Sequence, residues 1–165
     1  YTDNYITIGL TALHPFSRGS SHISSADTSA KPTINTNSYQ NPLDLEVFAG
    51  HMMFIEELAQ TPPLRDLIKD PDSGRRNLPK AHAKTLEEAR AYAKTSSISN
   101  WKPVGTCAML PREKGGVVGA DLLVHGVKGF RIVGSSIMPI ITRGHPQVTG
   151  YAVAERAADI ILGRA

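Results

Sequence analysis

Apolar residues recur along this chain at two spacings, and each spacing marks a different kind of element. From Asn41 onward the spacing is helical: Phe48, Met52, Ile55 and Ala59 fall on one face, and Pro62-Pro63 closes the run. Asn41 is a capping residue and Pro42 suits the first helical position, while Asp44 and Glu46 favour the positive end of the helix dipole. A short second helix is predicted from Leu64 to Ile68. Thr85 with Glu88 three residues later is a capping box, opening a helix to about Thr95. The last helix is predicted from near Gln147 to Gly163, with Tyr151, Ala154, Ala158 and Ile161 as its buried stripe, opposite Glu155, Arg156 and Asp159.

Strand signals are shorter. Tyr5 to Leu13 is rich in β-branched residues and partly alternates, so it reads as a strand. His22 to Ser24, Thr33 to Asn35, Leu122 to His125 and Phe130 to Val133 are further candidates, the last two joined through Gly126 and Gly129. Asp70 to Lys84, with Pro71, Ser73-Gly74 and Pro79, reads as a loop. The expected class is α+β: a small, mostly antiparallel sheet packed with about four helices, in one domain spanning residues 1–165.

Composition narrows the functions available. Of 165 residues 41% are apolar and 20% charged, an ordinary balance for a globular domain, and a chain of this length buries ~70% of its unfolded surface. A net charge of +3 with scattered basic residues does not argue for nucleic acid; the densest patch, Lys69 to Lys84, reads as a solvated loop. No apolar run approaches the ~20 residues of a membrane-spanning helix, so no membrane partner is expected. The single cysteine, Cys107, excludes an internal disulfide and a cysteine-based zinc cage, and the absence of an N-x-S/T sequon favours a cytoplasmic setting. An opening on Tyr1 is what a processed or trimmed product would show.

Two stretches concentrate unusual residues. One runs Trp101-Lys102-Pro103-Val104-Gly105-Thr106-Cys107-Ala108-Met109. The other is Gly134-Ser135-Ser136-Ile137-Met138-Pro139, followed by Arg143-Gly144-His145-Pro146-Gln147 and the last helix. In the second, a predicted strand enters a turn of small residues, and a loop then delivers a histidine just before a helix start. Such loops are where α/β proteins place ligands, and an imidazole there can act as general base near neutral pH. The competing reading is a histidine hydrogen-bonded within a loop. Trp101 and Arg143 are candidates to line a substrate cavity, against the plainer roles of core aromatic and surface ion pair. Cys107 reads as a small buried hydrophobe, and Ser135 and Ser136 lack the G-x-S-x-G elbow of a hydrolase.

The tail from Pro103 to Leu162 closely resembles the C-terminal signature of the glucose–methanol–choline (GMC) flavin oxidoreductases. Pro15-Phe16-Ser17-Arg18-Gly19, Asp27, Pro32, Asn37, Tyr39 and Asp44 resemble that family's substrate-domain segment more loosely. The resemblance assigns residues 1–100 to the substrate domain and 101–165 to the C-terminal signature, including the last strand and helix of the flavin domain. It implies FAD-dependent alcohol oxidation, with a histidine and a second His or Asn flanking the flavin. His145 matches the second position. At the first, before Pro103-Val104-Gly105-Thr106-Cys107, this chain has Lys102 instead of histidine. A solvated lysine is protonated at pH 7 and takes no proton, though its ammonium can stabilise an oxyanion.

Further departures point the same way. Gly134 stands where the family has Asp, in the turn Gly134-Ser135-Ser136 that resembles its cofactor-phosphate contact, and Gly119 replaces another commonly acidic position. No G-x-G-x-x-G fingerprint occurs, and without it there is no pyrophosphate cradle. The expectation is therefore a shortened GMC-type protein with no flavin site of its own. It would act as a non-redox catalyst (cyclase, dehydratase or isomerase) or as a binder of a hydrophobic small metabolite, through His145 and Lys102. FAD enters only if the flavin domain is supplied elsewhere, which is the alternative reading, and a non-catalytic pseudoenzyme subunit is the third. The strand Phe130 to Val133, cut from its sheet, needs cover, so a homo-oligomer or a partner chain is expected.

Overall fold

A computed structural model describes residues 5–69 and 83–164. The described elements are strands β1 (Ser20–His22) and β2 (Thr33–Asn35) and helices α1 (Pro42–Ala59), α2 (Leu64–Leu67), α3 (Leu86–Ser96) and α4 (Gln147–Ile161), with 3₁₀ turns at Arg112–Lys114 and Ser135–Ile137. The class is α+β as expected, with a two-stranded antiparallel sheet and four helices among the described residues. Two compact units divide it: Tyr1–Gly19 with Thr36–Ile98, and Ser20–Asn35 with Ser99–Ala165.

In the first unit, local chemistry sets the helix boundaries. Asn41 Oδ1 accepts the Leu43 N–H at 3.0 Å and Pro42 opens α1, so one otherwise orphaned donor is satisfied and another never existed. The Thr85 hydroxyl accepts the Glu88 N–H, and the Glu88 carboxylate accepts the Thr85 N–H, both at 3.2 Å. Ala49, Ala83 and Ala89 are buried together with Met52 and Met53 packed on them, and small side chains let α1 and α3 approach closely. Asp44, on the first turn of α1, is 8% exposed. Its carboxylate accepts the Phe16 N–H at 2.8 Å, the Ser17 N–H at 2.7 Å and the Ser17 hydroxyl, fastening the Pro15–Gly19 turn to the helix. Burial pushes this carboxyl up. The hydrogen bonds from the Ser17 hydroxyl, the Phe16 N–H and the Ser17 N–H, together with the Arg18 charge, outweigh that and hold it below its usual range.

Tyr5 to Leu13, expected as a strand, forms none. A β-branched run becomes a strand only beside a neighbour that takes its ladder bonds, and Ile6 is 65% exposed, without a sheet face to bury it. The loop expected from Asp70 to Lys84 lies outside the described residues except for Ala83 and Lys84.

In the second unit β1 and β2 pair Ser20 with Asn35, Ser21 with Ile34 and His22 with Thr33. β2 falls where the pattern placed it, and β1 lies two residues earlier than the reading His22 to Ser24. The core holds Val118, Leu122, Ile137 and Ala157, with Val117, Val124, Ile132, Val153 and Ile160 packed against them. The segments Leu122 to His125 and Phe130 to Val133 are not strands: they contribute single bridges, Val118 with Val124 and Leu123 with Arg131. Left-handed backbone at Leu122, Gly126 and Gly129 turns the chain too often for a ladder to extend. Gly116 is demanded by proximity, since a Cβ there would lie 1.8 Å from the Leu110 carbonyl oxygen.

Helix α4 spans nearly the expected residues but buries a different face. Ala157 is buried, and Val153 and Ile160 pack into the core, whereas Tyr151 is 63% and Ile161 57% exposed. The observed stripe sits one residue earlier than the expected one, a rotation of about 100°. The buried face presents Val153 and Ile160 to the core where the other would present Ala154 and Ala158, and Gly150 lies against the turn, where a Cβ would touch Ser135 Oγ at 3.4 Å. No helix among the described residues is long and apolar enough to cross a membrane.

Candidate functional site

The second unit carries a cavity of about 220 Å³, lined by Trp101, Lys102, Pro103, Val104, Ser135, Pro146 and Gln147. Three segments converge on it. The first is the run from Trp101 to Val104. Trp101 takes a left-handed backbone (φ 51°) and donates its N–H to Ser99 Oγ at 3.1 Å, and its indole is 79% exposed. Downstream, the Cys107 N–H donates to the Ser136 carbonyl at 2.9 Å and the Met109 N–H to the Ile137 carbonyl at 2.8 Å. These bonds lay the first segment along the second, the turn at Ser135–Ile137. Gly134 enters that turn at φ 133°, ψ −172°, a region essentially closed to residues with a Cβ. The Ile137 N–H donates to the Gly134 carbonyl and the Met138 N–H to the Ser135 carbonyl, each at 3.2 Å, closing the turn with Ser135 on the cavity.

The third segment is the start of α4. Pro146 is buried and its carbonyl accepts the Gly150 N–H at 2.8 Å. Thr142 and Thr149 share a hydroxyl–hydroxyl bond of 3.0 Å, which ties the preceding loop to the first helical turn. The Gln147 amide donates to the Tyr151 hydroxyl at 2.8 Å, so the amide is oriented rather than free to rotate.

Among the residues singled out from sequence, the cavity gathers Trp101, Lys102 and Ser135. Gly134 and Ser136 flank Ser135 in the same turn, half-buried and outside the lining. His145 directly precedes Pro146; it is exposed and makes no side-chain hydrogen bond among the described residues. Arg143 is exposed on the same loop and does not line the cavity. Cys107 is half-buried. Sequence reasoning passed over Pro146 and Gln147 as lining residues, although their place at a helix start beside His145 was a usable signal. Lys102 is the lining's one formally charged residue, and no carboxylate accompanies it. No group of His, Cys, Asp and Glu among the described residues is arranged to hold a metal ion.

The three segments border an open recess between a small-residue turn and a helix start, with one aromatic and one cation in its lining. The chain matches the family model described as GMC oxidoreductase over residues 15–154. It belongs to the GMC oxidoreductase family, of which it matches the C-terminal portion. It is 38% identical over 158 residues to the GMC oxidoreductase family protein Mala s 12 of Malassezia sympodialis, covering 96% of this chain and 25% of that protein. It is 33% identical to versicolorin B synthase of Aspergillus parasiticus, over 98% of this chain and 25% of that one. Among solved structures, a fungal aryl-alcohol oxidase superposes with a TM-score of 0.73 at 36% identity, covering 92% of this chain and 24% of the oxidase. The chain thus spans about a quarter of the length of the relatives it matches.

Proposed function

We propose that this chain binds a hydrophobic small metabolite in the cavity at Lys102 and converts it without redox chemistry, as a cyclase, dehydratase or isomerase. The observation that carries the reading is the cation at Lys102, lining a cavity of about 220 Å³ where the family resemblance calls for a proton-accepting imidazole. An ammonium donates hydrogen bonds and stabilises an oxygen that gains negative charge; it supplies no lone pair to a substrate hydroxyl. In this role Lys102 polarises a carbonyl or stabilises an enolate or alkoxide, Ser135 donates a second hydrogen bond, and His145 moves the proton once the ligand reaches the mouth beside Pro146. The apolar surfaces of Trp101, Pro103, Val104 and Pro146 hold the ligand in a reactive shape. Versicolorin B synthase supports the reading to the extent that a family relative bears the name of a synthase rather than of an oxidase.

By themselves the described residues do not enclose FAD, which the family resemblance implies. The cavity is smaller than the ~300–1,000 Å³ of pockets that hold drug-sized ligands, and FAD is larger than most of those. The chain also has no G-x-G-x-x-G turn to cradle a pyrophosphate. A second reading is FAD-dependent alcohol oxidation with the flavin site supplied elsewhere; likeness to an aryl-alcohol oxidase and coverage of only a quarter of the relatives favour it.

One experiment separates the two. The purified chain is mixed with FAD, desalted and scanned for flavin absorbance, then incubated with a panel of hydrophobic metabolites and analysed by mass spectrometry. The proposed function expects no retained flavin, and a product of unchanged mass or short of one water, lost in His145→Ala and Lys102→Gln. No product from the chain alone, with an aldehyde formed from an aryl alcohol only once a flavin-domain segment and FAD are added, would establish the second reading instead.

A further inference from the structure

The cavity has a charge preference that the proposed function leaves open. Lys102 is half-buried, and its ammonium has no hydrogen bond or ion pair among the described residues. No acidic residue lines the cavity to balance it. An uncompensated cation in a concave, partly desolvated wall raises the local concentration of anions and is best satisfied by a charge-assisted hydrogen bond. Beside it stands the Trp101 indole, a large aromatic surface left 79% exposed. Trp101 reaches this position through a left-handed backbone, at φ 51°. Ser135 adds a hydroxyl donor to the lining. One Gln147 amide N–H donates to Tyr151, and Lys102 and Ser135 are among the lining's side-chain donors that have no hydrogen bond among the described residues.

We infer that the cavity selects an aromatic carboxylate, with its carboxylate on the Lys102 ammonium and Ser135 hydroxyl and its ring against the Trp101 indole. The inference rests on reading this cavity as the ligand site and narrows the hydrophobic metabolite to an anionic aryl compound. A volume of about 220 Å³ restricts the ligand to one or two rings. A neutral aryl alcohol would meet the same aromatic wall but leave the ammonium without a counter-charge, so the salt-sensitive part of the discrimination between acid and alcohol reports on Lys102.

Trp101 is the chain's single tryptophan, so its fluorescence reports ligand at the wall directly. The full chain is titrated with benzoate and with benzyl alcohol at low and high salt. Benzoate is expected to bind at least about tenfold more tightly, which corresponds to about 1.4 kcal/mol, and to weaken as salt screens the pair, while the alcohol is indifferent to salt. Lys102→Gln brings benzoate down to the alcohol's affinity and Lys102→Arg keeps it within about threefold, because a guanidinium also pairs with a carboxylate. Equal affinities for the two probes, no benzoate binding, or a preference that survives Lys102→Gln would each overturn the inference. The salt dependence of the unmodified chain decides the matter even if a variant fails to fold. A chain that prefers benzoate yet converts nothing retains this inference and loses the proposed function; one that turns over neutral metabolites and ignores benzoate does the reverse.

Discussion

Asp44 is the side chain whose removal the first unit should tolerate least. Its carboxylate, 8% exposed, accepts three hydrogen bonds, from the Phe16 N–H, the Ser17 N–H and the Ser17 hydroxyl. The Asn41 N–H donates in turn to Ser17 Oγ at 3.1 Å, so the cap of α1 and the Pro15–Gly19 turn share one network. Hydrogen bonds to a charged group contribute ~1.5–3 kcal/mol each, but Phe16 lies at the surface, and its donor recovers water once the carboxylate is gone. Asp44→Ala should therefore cost about 2–4 kcal/mol, read by urea unfolding at pH 7 with circular dichroism.

Acid should erase the difference, and the sign is fixed by the direction of the shift. The folded carboxyl titrates below its unfolded value, so its contribution is complete above the ordinary aspartate pKa of ~3.9 and is lost as pH falls through the folded pKa. The gap between the unmodified chain and Asp44→Asn should shrink as pH is lowered beneath that range. A cost for Asp44→Ala under about 0.5 kcal/mol, or a gap to Asp44→Asn as wide in acid as at neutrality, would refute the argument.

Two more outcomes follow from packing. Gly116→Ala forces a Cβ onto the Leu110 carbonyl, a backbone clash that no rotamer relieves, so it should lower stability by about 2 kcal/mol or more in the same unfolding assay. Tyr151 and Ile161 form an exposed apolar stripe on α4, with Phe130 and Val133 also exposed in this unit. We predict that a second copy of the chain or a partner chain covers them. Tyr151→Asp with Ile161→Asp should convert an associating chain to a monomer in light scattering; a chain already monomeric at tens of micromolar would exclude self-association.

The helices of the first unit were legible because their determinants act within a few residues. Asn41 bonds the N–H two residues on, and Thr85 and Glu88 bond each other three apart, so the caps read the same in the sequence as in the fold. Strand pairing is not local. Tyr5 to Leu13 has the right composition but no strand paired with it among the described residues, and Phe130 to Val133 shrinks to one bridge because its partner stretch turns away at Gly126 and Gly129. The candidate site divides in the same way: Lys102 and Ser135 stand out in the linear text by residue type, but only the bonds from Cys107 and Met109 to Ser136 and Ile137 bring their segments together.

Helix α4 shows the boundary most clearly. Its length follows from Pro146 at one end and Gly163 at the other, yet two apolar stripes one residue apart compete to be buried. Periodicity weighs them equally, since Tyr151–Ala154–Ala158–Ile161 is as regular as Gly150–Val153–Ala157–Ile160. The choice fell to the surface offered by Val118, Leu122 and Ile137, against which Val153, Ala157 and Ile160 pack. Caps and breakers act through bonds between near neighbours and are written in the chain, whereas the buried face and the cavity beside it depend on shapes that exist only after distant segments have met.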